Sequence, residues 1–302
     1  MSTTRQTATF IMRRFDEAGL RPDTRKGQNF LIDLNLINIL ADEAGLDRQD
    51  VVLEIGTGLG SLTSIMARRV AAVVTVEVDA HLQQLASEEL DEFENVTLLC
   101  QDALRNKNNL HENIVETVRE KLAAVPQGRF KLVANLPYNI ATPVLSNLLS
   151  TEIVPVSMTV TIQKELAERI IAQPRTKDYS ALSIWMQSQC DVRIVRLMPP
   201  DVFWPRPKVH SAILQIVPNA EKKSRITDAD FFHRFVRSMF FHRRKYLRSE
   251  LISALKEKVD KPGVDAIMAD LGLGPQSRAE ELDVESMLRL ADRVLQELSR
   301  GT

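Results

Sequence analysis

Cysteine is scarce in this chain of 302 residues, in which only Cys100 and Cys190 are present. Two cysteines are too few for a disulfide framework or for a zinc site built from thiolates. The five histidines show no metal-ligand spacing. These absences predict a protein that holds no metal.

Long apolar runs are absent as well. No stretch approaches the roughly 20 apolar residues that a membrane helix needs. The residues from Met1 to Phe15 lack the apolar core of a signal peptide. The net charge of -1 favours neither a polyanionic partner nor its absence, and the composition is that of a soluble globular protein. We therefore expect a cytoplasmic enzyme or binding protein with no membrane partner.

Buried-strand patterns alternate with helical patterns from about residue 33 to about residue 217. This alternation predicts an α/β fold with a mostly parallel, doubly wound sheet. The polar stretch 218–224 marks a boundary, and everything after it reads as helix. We expect one domain over residues 1–220, with a basic amino-terminal segment 1–28, and a smaller all-helical domain over residues 221–302.

A glycine turn separates the first buried strand from a helix. Gly56, Gly58 and Gly60 let the backbone approach a ligand closely and offer backbone N–H groups. Glu77 ends the next strand about 20 residues further on, where an acid binds ribose hydroxyls. Asp102 follows the third strand and can accept a hydrogen bond from an adenine amino group. The three features predict an adenosine-containing ligand.

The spacing of the glycines discriminates between adenosine ligands. A dinucleotide fingerprint requires G-x-G-x-x-G, but Ser61 stands at the third glycine position. The phosphate-binding pattern G-x-x-x-x-G-K-[ST] does not occur. S-adenosylmethionine, which has no phosphates, is the cofactor that this pattern favours.

The tetrapeptide Asn135-Leu136-Pro137-Tyr138 follows the fourth buried strand directly. Its amide and backbone carbonyls can accept hydrogen bonds from an exocyclic amine, and its tyrosine offers a face on which a base can stack. The carboxyl end of a strand is where open α/β sheets bind ligands. This pattern predicts a site for an extruded nucleobase.

The residues from Phe231 to Ser249 contain no acid. We expect a helix whose basic face contacts RNA phosphates and whose opposite, apolar face is buried. The aromatic residues here are interpreted as core. The candidate RNA-binding residues are Arg237, Arg243, Arg244, Lys245 and Arg248.

An ordered set of motifs extends between about residues 25 and 291. The motifs are 26–33, Glu54-Ile55-Gly56, Glu77-Val78-Asp79, Gln101-Asp102-Ala103, 135–138, 163–169, 205–209, 243–248 and 278–282. This set resembles the ribosomal RNA adenine dimethyltransferase family, and within it the chain is most similar to the bacterial type that acts on small-subunit RNA. Thr57 departs from the family, which usually has proline there, and this change is expected to loosen the turn.

The resemblance implies a Rossmann-like methyltransferase sheet of seven strands followed by a helical RNA-binding domain. It implies S-adenosylmethionine as cofactor and the small ribosomal subunit or its precursor as partner. We expect the product to be N6-dimethylated adenosine at two adjacent positions near the 3′ end of 16S RNA, and the enzyme to be a monomer. The implied cofactor-binding residues are Asn29, Leu31, Gly56, Gly58, Glu77, Asp102 and Asn135.

A catalytic arrangement follows as a hypothesis. The Asn135 side-chain oxygen and the Leu136 carbonyl accept the two amino hydrogens of adenine, which turns the nitrogen lone pair toward the methyl donor. Pro137 holds the turn, Tyr138 stacks on the base and Phe203 closes its other face. Two alternatives remain open at this point: a macrolide-resistance methylase acting on large-subunit RNA, and an RNA-binding assembly or transcription factor derived from the family.

Overall fold

The computed structural model describes residues 8–23, 27–242, 245–256 and 258–300. They form two compact units. The first comprises the described part of Met1–Ala167 together with Arg193–Pro218, and the second comprises Glu168–Val192 and the described part of Asn219–Thr302. The sequence placed residues 168–192 in the first domain, whereas their contacts place them in the second.

The strands follow the alternation that the hydrophobic runs predict. Short strands of two or three residues also pair at positions where the sequence has no clear strand pattern. In chain order, the strands are β1 (Phe30–Leu31), β2 (Asp50–Ile55), β3 (Ala72–Glu77), β4 (Val96–Cys100), β5 (Leu104–Asn106), β6 (Asn109–Leu110), β7 (Arg129–Asn135), β8 (Ser157–Gln163), β9 (Cys190–Met198), β10 (Phe203–Trp204) and β11 (Ser211–Pro218).

Seven of these strands form one sheet in the order β4-β3-β2-β7-β8-β11-β9. The first five are parallel to one another, and β11 is antiparallel to β8. Every residue of β2 and β3 is buried, as expected for central parallel strands covered on both faces. The sheet confirms the predicted fold class. It also brings the carboxyl ends of β2, β3, β4 and β7 to one edge.

Helices connect the strands and make up most of the second unit. They are α1 (Ala8–Glu17), α2 (Leu34–Glu43), α3 (Ser61–Ala67), α4 (Ala80–Leu90), α5 (Glu112–Ala123), α6 (Ala141–Leu148), α7 (Lys164–Ile171), α8 (Ala181–Gln187), α9 (Ala220–Ser224), α10 (Ala229–Met239), α11 (Leu247–Ala254), α12 (Lys261–Asp270) and α13 (Val284–Arg300).

Side-chain caps explain several helix starts. Asp33 accepts hydrogen bonds from the N–H groups of Asn35 and Leu36 at the start of α2, as its position in the sequence predicts. Asp79 caps α4 in the same way. Since Asp79 lies two residues beyond Glu77, the start of α4 is fixed beside the end of β3.

The core of the first unit lies between the sheet and the helices α2 and α3. It includes Leu40 and Met66 from the helices and Val52, Val133 and Ile213 from the strands. This packing fixes the position of each strand relative to its neighbours. The residues that end β2, β3, β4 and β7 therefore have defined positions along the carboxyl edge of the sheet.

The second unit has its own buried side chains. Tyr179 has no exposed surface, and its hydroxyl donates a hydrogen bond to the Leu282 carbonyl at 2.9 Å. The Trp185 ring packs against the rings of Phe232 and His233. Residues 168–192 thus supply aromatic core to this unit.

Candidate active site

A cavity of about 230 Å³ opens at the carboxyl edge of β2, β3 and β7. Seven residues predicted from the sequence line it, and four others do not. Those that line it are Asn29, Gly56, Gly58, Glu77, Asp102, Asn135 and Pro137. Those that do not are Leu31, Leu136, Tyr138 and Phe203.

The glycine turn forms one wall of this cavity. Gly56 has φ +89°, and a Cβ there would lie 3.3 Å from Cδ of Pro137. A Cβ on Gly58 would lie 3.2 Å from the Phe30 ring. Only glycine combines this backbone conformation with so close an approach. The turn is therefore packed against both the Pro137 turn and the segment around Phe30.

Glu77 presents a carboxylate at the end of β3. It is only 6% exposed, and its two oxygens accept from the N–H groups of Gly58 and Asp79, each at 3.0 Å. Burial raises the pKa of Glu77, and the hydrogen bonds from Asp79 and Gly58 oppose that effect. A carboxylate has about four acceptor sites, so acceptor positions remain for ribose hydroxyls.

After the end of β4, the cavity is lined by one hydrogen-bond acceptor and one hydrogen-bond donor. Asp102 is exposed, and one of its oxygens accepts from the Leu104 N–H at 2.8 Å. The neighbouring Gln101 also lines the cavity, and its buried amide nitrogen has no partner among the described residues. The sequence places Gln101 in a family motif but does not predict that it lines the cavity. A purine offers both an amino donor and ring-nitrogen acceptors, which match this pair.

Asn135 has a fixed orientation. Its amide nitrogen donates to the backbone carbonyl of Asn29 at 2.9 Å. Its side-chain oxygen is buried and has no partner among the described residues. Because only the NH₂ end can pair with a carbonyl, the oxygen is the atom left free. A buried acceptor without a partner is costly and is typical of a site that a ligand completes.

Tyr138 lies beyond the turn that Pro137 makes. Its ring is half-buried, and its hydroxyl is 2.5 Å from the hydroxyl of Ser211 on β11. Burial raises the pKa of Tyr138, while the Ser211 hydrogen bond acts in the opposite direction. The phenol therefore stays neutral at physiological pH and holds the ring against β11.

The side chains of Phe203 and Leu31 are buried in this structure. They face each other in the β1–β10 pair, and both belong to the hydrophobic core, with Phe203 only 2% exposed. That Phe203 closes the second face of a base therefore stays a prediction, and it requires the buried ring to move toward the site. Strand pairing with β1 draws the ring inward, which the local sequence does not indicate.

A network of buried polar side chains, centred on Glu54, lies next to the glycine turn. Glu54 is 1% exposed and accepts from the hydroxyls of Thr63 (2.5 Å) and Thr75 (2.7 Å). Burial is the main cause that raises the pKa of Glu54 to about 8. The Thr57 hydroxyl lies 2.6 Å from that of Thr75. The turn at Thr57, expected to be loosened, is instead held by this hydroxyl.

The sequence predicts that the basic residues of 231–249 lie on one face of one helix, but in the second unit they do not. Helix α10 ends at Met239 and α11 begins at Leu247, so Arg237 and Arg248 lie on different helices. The guanidinium of Arg248 forms two hydrogen bonds with Asp265, at 2.5 and 2.8 Å. Arg237 and Lys245 are exposed. Arg243 and Arg244 lie outside the described residues.

The apolar stripe predicted for this region comprises Phe232, Phe235, Val236, Met239, Phe240 and Leu247. All of these side chains are buried except that of Phe240, which is partly exposed. Among the described residues, no group of three or more His, Cys, Asp or Glu side chains is arranged to hold a metal ion. Within the same part of the chain, no helix has the length and apolar character needed to cross a membrane.

Comparison with known proteins identifies relatives of the whole chain. The family model described as ribosomal RNA adenine dimethylase matches residues 20–296. Ribosomal RNA small subunit methyltransferase A of Clostridium botulinum strain Okra is 37% identical over 88% of this chain and 91% of its own length. The protein of the same name from Bacillus mycoides is 37% identical over 89% of this chain and 90% of its own length.

Solved structures show the same fold. A dimethyladenosine transferase from Plasmodium falciparum superposes with a TM-score of 0.73 at 22% identity, covering 88% of this chain and 97% of its own. The 23S rRNA methyltransferase ErmE gives a TM-score of 0.61 at 25% identity, covering 88% and 100%. The chain thus belongs to the ribosomal RNA adenine dimethylase family, whose methyl donor is S-adenosylmethionine.

Proposed function

We propose that this chain dimethylates N6 of two adjacent adenosines near the 3′ end of small-subunit ribosomal RNA during ribosome biogenesis. The observation that carries the proposal is the buried Asn135 oxygen, which lacks a partner and belongs to a residue lining the cavity. An adenine amino group is a donor that would complete this acceptor. The curated relatives at 35–38% identity carry the name small-subunit methyltransferase, which supports this RNA over the large-subunit alternative.

The hydrogen-bond donors and acceptors that line the cavity match those of S-adenosylmethionine. Glu77 would accept from the ribose hydroxyls, Asp102 would accept from the adenine amino group, and the Gln101 amide would donate to a ring nitrogen. The unpartnered Gln101 nitrogen is the observation that favours a purine here. When bound, S-adenosylmethionine supplies an electrophilic methyl carbon.

The residues of the chain orient the target amine. N6 of adenine is a weak nucleophile because its lone pair is delocalised into the ring. The Asn135 oxygen and the Leu136 carbonyl hold the two amino hydrogens, so the lone pair points toward the methyl donor. Tyr138 stacks on one face of the base, which contributes about 1–3 kcal/mol. Alignment of the reacting atoms, rather than strong acid–base chemistry, supplies most of the acceleration.

The second unit is proposed to bind the RNA. Arg237 and Lys245 contact phosphates there, and Arg243 and Arg244 add charge from the same stretch of sequence. Arg248 contributes only after it leaves Asp265. We further infer a cytoplasmic location, where small subunits assemble, and a monomeric enzyme, which sedimentation of the purified protein would test.

The experiment is methyl transfer to purified, unmodified ribosomal subunits. Wild-type protein is expected to incorporate labelled methyl groups into small subunits, at adjacent adenosines located by mass mapping. The Asn135→Ala variant is expected to lose at least about a hundredfold in rate, because the 1–3 kcal/mol of one lost hydrogen bond adds to the misalignment that follows. Calorimetry with S-adenosylmethionine verifies that the variant still has a folded cofactor site.

Three results would contradict the proposal. Preferential methylation of large subunits would assign the macrolide-resistance activity instead. Binding of small subunits without any methyl transfer would indicate an assembly factor. Near-normal turnover by Asn135→Ala would remove the role given to its oxygen.

A further inference from the structure

The turn between α10 and α11 exposes an aromatic side chain to an unusual degree. Phe241 is 81% exposed, whereas the next most exposed large hydrophobic side chain among the described residues, Leu197, is at 51%. The sequence predicts that the aromatic residues of this region belong to the core. That prediction is confirmed for Phe232 and Phe235 but is wrong for Phe241.

A second aromatic residue lies in the same turn. Tyr246 is 46% exposed, and the guanidinium carbon of Arg278 lies 5.7 Å from the centre of its ring. The N–H of Leu247 donates to the Ser277 carbonyl at 2.8 Å, which brings Arg278 alongside. Tyr246 therefore already holds a planar cation against its ring.

Contacts hold the described residues on both sides of positions 243 and 244. The N–H of Lys245 donates to the His242 carbonyl at 2.8 Å. Nδ1 of His242 lies 3.4 Å from a carboxyl oxygen of the buried Glu250. The ring of Phe241 meets that of His242 edge to face, with centroids 5.4 Å apart. Phe241 is thus braced on one side while most of its surface faces solvent.

The sequence that flanks the two rings is basic, which indicates an anionic occupant. Residues 231–249 contain no acid, and the exposed cations Arg237 and Lys245 lie on either side of Phe241 in the sequence. Exposed aromatic residues among cations are typical of surfaces that stack unpaired bases and neutralise their phosphates. Sequence-specific contacts to RNA fall mostly on such unpaired bases in loops and bulges.

We propose that Phe241 and Tyr246 form a stacking surface for an unpaired base of the RNA substrate, separate from the base that is methylated. The inference rests on the proposed ribosomal RNA substrate and adds how the second unit recognises it. Phe241 stacks on the base, Arg278 keeps the Tyr246 ring in place, and Lys245 pairs with the adjoining phosphate. The surface recognises an unpaired base in a loop, and a continuous duplex has no such base.

Binding of the full-length protein to unmodified small subunits, measured over a range of salt concentrations, tests the proposal. Phe241→Ala is expected to bind about tenfold more weakly at every salt concentration, with an unchanged slope of log K against log salt. Lys245→Ala is expected to lower that slope by about one. Leu197→Ala, which also removes an exposed apolar side chain, serves as the control and should bind as wild type does.

A fluorescent variant reports stacking directly. Phe241→Trp retains a flat ring, and the emission that it adds to that of Trp185 and Trp204 in the wild type is expected to be quenched by a mixed-sequence single-stranded RNA decamer but not by a duplex of the same sequence. Phe241→Ala that binds small subunits within twofold of wild type overturns the proposal. So does a change in the elution volume of the free Phe241→Ala protein, which would assign the ring to self-association.

These readouts separate the two proposals. Wild-type methylation of small subunits together with unimpaired binding by Phe241→Ala would leave the proposed function intact and remove the stacking surface. Quenching of the Phe241→Trp emission by the single strand, in a protein that methylates no subunit, would support the surface and reject the proposed function.

Discussion

Ser211 and Tyr138 lie 73 positions apart, yet their hydroxyls form a hydrogen bond at the rim of the site. Ser211 begins β11 and has no exposed surface. Its hydroxyl therefore sets where the Tyr138 ring stands relative to the turn at Pro137. The serine acts through the tyrosine and is a positioning residue.

Removing this hydrogen bond is expected to slow methyl transfer about five- to tenfold, consistent with about 1 kcal/mol for a neutral hydrogen bond. Ser211→Ala and Tyr138→Phe should each have this effect, and the double variant should be no worse than either. Tyr138→Ala, which also removes the ring, should lose considerably more. Initial rates with small subunits measure all four, and additive losses in the double variant would disprove the coupling.

Glu54 gives the stability of the first unit a pH dependence. Burial raises its pKa in the folded protein from the ordinary value of 4.5 to about 8. The folded state therefore binds the proton more tightly than the unfolded state does. The stability that this proton contributes is complete below pH 4.5 and is lost as the pH rises through 8.

Glu54→Gln is expected to remove this dependence, since the neutral amide can still accept from Thr63 and Thr75. Between pH 6 and pH 9 the melting temperature of the wild type should fall by several degrees more than that of the variant. Asp102→Asn, which changes an exposed carboxylate, should melt as the wild type does. Parallel curves for wild type and Glu54→Gln would show that Glu54 does not titrate in this range.

Among the elements, the glycine turn after β2 does most to shape the cavity. Gly56→Ala is expected to weaken S-adenosylmethionine binding at least about tenfold, because a Cβ at φ +89° lies 3.3 Å from Pro137. The strained backbone adds roughly 1–2 kcal/mol of destabilisation. Calorimetry and denaturant unfolding measure the two effects.

Gly45 provides the matched control. It also has a positive φ, +55°, but a Cβ there would meet nothing within 4 Å. Gly45→Ala should therefore lose similar stability and bind the cofactor normally. Equal cofactor affinities for the two variants would show that contact with Pro137 is unimportant.

At the scale of the whole molecule, the second unit is assembled from two separate parts of the chain. Tyr179 and Trp185 come from residues 168–192, whereas Leu282 and Phe232 come from the carboxyl-terminal part. A domain boundary at residue 220 therefore cuts through this unit. The polar stretch 218–224 marks where the chain re-enters it.

A chain truncated after residue 220 is expected to aggregate, because it keeps Tyr179 and Trp185 without the helices that bury them. Exposed aromatic and aliphatic surface of this kind promotes association. Dye binding and light scattering, compared with the full-length protein, measure this outcome. A monodisperse truncated protein that melts cooperatively would contradict it.

Much of the fold followed from local patterns. Runs such as 51–55 and 130–134 predicted β2 and β7 to within one residue at each end, because a buried strand is apolar over its whole length. The strands β1 and β10 were missed, since two-residue pairs have no periodicity to detect. The break between α10 and α11 was also underestimated, as basic residues suit a helix and a turn equally.

The sequence by itself determined the α/β class, the edge of the sheet where the site lies, and the acids Glu77 and Asp102, because each of these is set by residues adjacent in the chain. Only the tertiary structure decided that Asn135 pairs with a carbonyl 106 positions away, that Phe203 turns into the core, and that Phe241 remains exposed. Such contacts depend on which surfaces meet when strands and helices pack. A side chain's neighbours along the chain do not specify that packing.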